Sequence, residues 1–223
     1  MDTPTSRTPS RACNPSRDSR EAIVVLGIGN VLWADEGFGV RCVETLQQRW
    51  QFAPGVALVD GGTQGLYLIQ HVQRARRLLI FDAIDYGLAP GTLKLIENEE
   101  VPRFMGAKKM SLHQTGFQEV LCLAQFTGDY PQEVLLIGCQ PEHLEDYGGS
   151  LRPSVRLAME DALALAVDRL RAWGAAPMPR YEGCEADERV TTPLLALDRY
   201  EDGRPDAAAA CRVGDARFMP SAG

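Results

Sequence analysis

The chain has 223 residues, 45% of them hydrophobic and 24% charged, which is enough for one substantial core and short of what two ordinary domains need. Its formal net charge of -7, with no dense cluster of Lys and Arg, excludes a surface built for nucleic acid or an anionic membrane, because both reward clustered positive charge. No apolar run approaches the roughly 18 residues of a membrane helix, and the six cysteines show no CxxC or paired spacing, which fits a reducing, cytoplasmic setting.

Residues 1–21 are rich in Ser, Thr, Pro and Arg and lack the apolar core of a secretory signal, so a disordered leader is expected there. The first strand is predicted at Ile23 to Gly27, followed by the loop GIGNVLWADEGFGV and by a helix in which Val40, Val43, Leu46 and Trp50 recur at helical spacing. Further strands are predicted at Val56 to Val59, Leu78 to Phe81, Thr92 to Ile96 and Val134 to Gly138, with helical patterns from Gly65 to about Arg76 and from Gln114 to about Gln125. Cys122 and Cys139 lie inside apolar runs, where a free thiol packs as a small hydrophobe. The clearest helix runs from Pro153 to Trp173 with a stripe of Val155, Met159, Leu163, Val167 and Leu170, Pro153 at its start and Gly174 just after it. Alternating strands and helices predict a single α/β domain over residues 22–180, with a twisted, mostly parallel five-stranded sheet and helices on both faces. From residue 181 to 223 the chain holds nine acidic and five basic residues and no apolar stripe, so a flexible or loosely docked tail, dispensable for cleavage, is expected.

The loop after the first strand invites a nucleotide reading, since Gly27 and Gly29 stand between a strand and a helix. A dinucleotide turn needs a third glycine at position 32, where Leu32 stands, and Asp35 and Glu36 would repel a pyrophosphate. Asp35 reads as a cap of the following helix. Glu36 either complements the helix dipole or, because the first loop of an open α/β sheet borders the ligand crevice, belongs to a site.

By the same topology Asp82, ending the run RLLIFDAID, emerges into that crevice or simply turns the chain. The stretch DGGTQG, Asp60 to Gly65, reads as a shaped loop. Of the three histidines, His71 falls in a helical pattern and His143 in the polar QPEHLED, whereas His113 sits in SLHQTGF where a loop meets a helix. Glu36, Asp82 and His113 together would form an open site for a divalent metal, because two carboxylates in one crevice repel unless a cation joins them. The signatures HExxH and GxSxG are missing, and no cysteine stands in a recognisable nucleophile context, so the catalytic group is unassigned.

In this order and spacing, GIGNVLWADEGFGV, DGGTQG, FDAID and SLHQTGF resemble the nickel-iron hydrogenase maturation endopeptidases over about residues 22–180. The resemblance implies an endopeptidase that removes a C-terminal extension from the hydrogenase large-subunit precursor after nickel insertion. It also implies that Glu36, Asp82 and His113 contact metal, with nickel either borne by the substrate or bound at the protease site. A non-proteolytic nickel-sensing chaperone of the precursor and a different metal-dependent α/β hydrolase are the competing readings.

Overall fold

The computed structural model describes residues 23–105, 112–181 and 189–204, and within these it describes no side chains for residues 103–115. The chain runs β1 (Ile23–Ile28), a 3-10 turn (Ala34–Gly37), α1 (Phe38–Arg49), β2 (Trp50–Gln51), β3 (Val56–Gly62), a second 3-10 turn (Gly65–Leu68), α2 (Ile69–Arg74) and β4 (Arg77–Ala83). It continues through β5 (Leu93–Glu97), α3 (Glu100–Met105), α4 (Leu112–Thr127), β6 (Glu133–Cys139), α5 (Pro153–Ala172), β7 (Met178–Pro179) and α6 (Leu197–Asp202).

Five strands form one sheet in the order β3-β1-β4-β6-β5. The first four are parallel, and β5 closes one edge antiparallel to β6. Strand alternation divides the core into two layers. Val25, Leu79 and Leu135 pack under α1 and α5, where the predicted stripe from Val155 to Leu170 is buried. Val24, Leu26, Leu78, Ile80 and Leu136 face Val72 of α2 and Phe117, Val120, Leu121 and Ala124 of α4. Covering both faces explains why these strands read as continuous apolar runs instead of alternating ones.

Gly39, in the first turn of α1, is pressed between β1 and β4, and a Cβ there would overlap the carbonyl oxygens of Ile28 and Phe81. This is the close helix-to-strand approach that a nucleotide turn obtains from its third glycine. Here the glycine comes seven positions beyond Leu32, so the intervening residues, Asp35 and Glu36 among them, form an extra turn above the sheet edge.

Several elements differ from the sequence expectation. Helix α1 stops before Trp50, which turns extended and pairs antiparallel with Pro179 in a small two-stranded sheet. Arg180 holds that junction, its backbone N–H donating to the Arg49 carbonyl and its Nε to the carbonyls of Gln47 and Trp50, which satisfies acceptors left open by the end of α1. Cys139 is buried as expected and so is Cys42, but Cys122 is exposed, because the buried face of α4 runs through Phe117, Val120, Leu121 and Ala124 and leaves position 122 outside.

Of the acidic tail from residue 181, expected to be flexible or loosely docked, residues 189–204 are described and lie against the domain, while residues 182–188 and 205–223 lie outside the described residues. Arg41, buried beside Glu44 in α1, donates to the Leu195 carbonyl at 2.6 Å, while Leu197 N–H donates to Glu44 at 2.9 Å and Val190 N–H to Gln47 at 2.7 Å. The contacts are mostly polar, which is why no apolar stripe announced them. The expected leader, residues 1–21, lies outside the described residues.

Candidate active site

After β1 the chain crosses to β3 on one side, then returns to β4 on the other, so the order reverses at the carboxyl ends of β1 and β4. In open α/β sheets a ligand crevice opens at such a switch point. Glu36 sits above the end of β1, half-buried in the 3-10 turn, which packs on β4. Its burial raises its carboxyl above the ordinary value, so the charged form is poorly solvated.

Asp82 is fully buried near the end of β4, following Phe81, which is in register with Gly27 of β1. Strand alternation gives Asp82 the same face as Leu78 and Ile80, the face covered by α2 and α4. His113 lies in the first turn of α4, and its side chain is outside the described residues. The same helix packs at Gly116 against Gly65, in the turn that follows β3. The Glu36 turn therefore packs on β4, which carries Asp82, while α4, which carries His113, packs on the turn after the neighbouring strand β3. Among the described residues no three His, Cys, Asp or Glu side chains gather as a metal cluster, and His113 is not part of that set. His71 falls in α2 and His143 in the loop after β6.

Three further residues shape the site without having been singled out for these roles. Tyr86 lies beyond Asp82 with its ring over Gly138, where any Cβ would collide with the phenol oxygen. Burial raises its phenol pKa first, and the charge of Asp82 raises it further, which places the hydroxyl in the field of that carboxylate. Gln140 fixes this corner, its Oε1 accepting from Tyr86 N–H at 2.7 Å and Leu88 N–H at 3.1 Å. Asp60, at the end of β3, is a further carboxylate raised by burial, on the α1 face of the sheet by alternation with Val56 and Leu58.

Asp35 does not cap α1, which starts without a side-chain cap. Its buried carboxylate instead accepts backbone N–H bonds from Glu142 at 2.9 Å, His143 at 2.8 Å and Arg152 at 2.7 Å. The 3-10 turn carries Asp35 ahead of the helix, toward the loop after β6. There its charge adds to burial in pushing the Cys139 thiol up to about 12. Both effects disfavour the thiolate.

The sequence profile described as hydrogenase maturation protease matches residues 40–169, a stretch that begins after the Glu36 turn and contains Asp82 and His113. The chain belongs to the hydrogenase maturation protease family. It is 72% identical over 198 residues to the hydrogenase expression/formation protein HoxM of Cupriavidus necator, covering 89% of this chain and 98% of that protein. A match of 198 residues in a chain of 223 necessarily takes in residues 26–198, and so reaches into the docked tail. The hydrogenase 2 maturation protease of Escherichia coli is 42% identical over 159 residues, covering 71% of this chain and 96% of that protein. The solved hydrogenase maturating endopeptidase HybD from E. coli superposes with a TM-score of 0.68 at 41% identity, over 71% of this chain and 98% of that chain.

Burial disfavours the charged forms of Glu36 and Asp60 at this end of the sheet. Among the described residues no helix is long and apolar enough to cross a membrane.

Proposed function

We propose that this maturation protease removes the C-terminal extension of the nickel-iron hydrogenase large-subunit precursor once nickel has been inserted, and that Glu36, Asp82 and His113 contact that nickel. The metal is then part of the substrate, and the crevice serves to recognise it. The observation that supports the reading is that half-buried Glu36, in the turn packed on β4, and fully buried Asp82, near the end of β4, both lie toward the carboxyl ends of the adjacent strands β1 and β4. A cation arriving with the precursor relieves the cost of keeping these carboxylates charged, so binding favours the loaded precursor over the empty one. Contact at the metal would hold the peptide bond near it in a fixed position, which converts recognition into rate. The cytoplasm, where the precursor would be assembled in a reducing medium, is the proposed location.

The test is incubation of the purified protein with nickel-loaded precursor, followed by the intact mass of the large subunit. Loss of a discrete C-terminal peptide is the expected result. A stable complex in which the precursor keeps its full mass would replace the protease by a chaperone that binds without cutting.

A further inference from the structure

We infer that residues 189–204 form a positioning arm for the Glu36 turn, acting through the loop between β6 and α5; its catalytic meaning rests on the proteolytic reading above. The arm reaches that loop through α6. Tyr200 Oη donates to the Gly149 carbonyl at 3.3 Å, and Glu201 accepts from the Ser150 hydroxyl and pairs with Arg156 at the start of α5. Arg152, in the same loop, pairs with buried Asp146 at 2.8 Å.

The loop in turn grips the residues around Glu36. Asp35 accepts amide bonds from both of its ends, at Glu142 and His143 and at Arg152. The backbone closes the contact, with Asp35 N–H donating to the His143 carbonyl at 3.2 Å and Gly148 N–H to the Leu32 carbonyl at 2.7 Å. Trp33 and Tyr147 pack edge to face with ring centroids 5.4 Å apart. Glu36 follows Asp35 directly in a turn of four residues, so displacement of Asp35 displaces Glu36. The other end of the arm is held independently on α1, by Arg41 to the Leu195 carbonyl and Leu197 N–H to Glu44. A segment fixed at α1 and clamped to the loop is a brace, and Asp35, Tyr200 and Glu201 are its positioning residues.

The experiment uses the full chain carrying Tyr200→Phe with Glu201→Gln, which leaves the arm's contacts to α1 in place. Amide hydrogen exchange at Glu142, His143 and Arg152 is expected to quicken by about tenfold, the size that loss of one or two hydrogen bonds supports. With nickel-loaded precursor, kcat is expected to fall while KM for the precursor holds. Asp35→Asn should lower kcat as well, and adding the arm substitutions to it should cause no further loss, because both act on one loop. A merely structural arm would give losses that multiply. Unchanged exchange at the three amides, or multiplying losses in kcat, overturns the assignment. Should Asp35→Asn fail to fold, the exchange result on the arm variant decides. Should the wild-type protein leave the precursor uncut, the proteolytic reading fails while the exchange result still decides whether the arm holds the loop.

Discussion

A half-buried carboxylate such as Glu36 is held against its own hydration, because burial raises its pKa and disfavours the ionised form. A folded pKa above the unfolded one means that ionised Glu36 subtracts stability at pH values above the folded pKa, and that the penalty fades as pH falls through it toward the unfolded value. In chelator-treated protein, Glu36→Gln is therefore expected to melt slightly higher than wild type at neutral pH, with the gap closing toward about pH 4. A thermal melt at both pH values checks this, and a lower melting temperature for the variant at neutral pH would contradict it. The same variant, with Asp82→Asn and His113→Ala, should lose precursor processing while staying folded; cleavage at the wild-type rate by all three would remove them from the site. What the sequence made readable is the position of Glu36 in the loop after β1 and of Asp82 near the end of β4, because each comes after an apolar strand run. Asp35 was not legible in its role, since the amides it binds lie 107 or more positions away along the chain. Tyr86 depends on the bare backbone of Gly138 on the neighbouring strand, which no local pattern records.

At the scale of elements, what carries a long periodic signal was readable and what depends on a partner was not. Helix α5 and the sheet strands are built from apolar side chains that bury on contact with any matching face. Strands β2 and β7 have two residues each and exist only because Trp50 and Pro179 meet, and α6 is placed by polar contacts. Two substitutions separate packing from backbone approach. Leu79→Ala removes a fully buried side chain from β4 and is expected to cost on the order of 2 to 5 kcal/mol. Gly39→Ala adds only a methyl group, yet it drives α1 away from the carbonyls of Ile28 and Phe81, so a larger loss than that of Leu79→Ala is expected. Urea unfolding of both variants measures the order, and a Gly39→Ala protein as stable as wild type would show that α1 can shift without penalty.

For the whole molecule, two helical layers cover a mostly parallel sheet, with the Glu36 turn and Asp82 toward its carboxyl end, while the arm reaches from α1 to the loop that grips that turn. The hydrophobic core holds the strand ends in place, with the Glu36 turn packed above β4. The sheet followed from strand and helix alternation, and the four quoted segments carried the family, but the arm's docking lies outside both signals. On the proposed function, this end of the sheet reads the metal in the precursor before the extension is removed. The direct measurement is the rate of C-terminal mass loss from precursor matured with nickel and from precursor matured without it, under identical conditions and with a chelator control on the protease alone. Cleavage of the nickel-loaded precursor only, unaffected by chelator treatment of the protease, is the predicted result. Equal cleavage of loaded and metal-free precursor would contradict it.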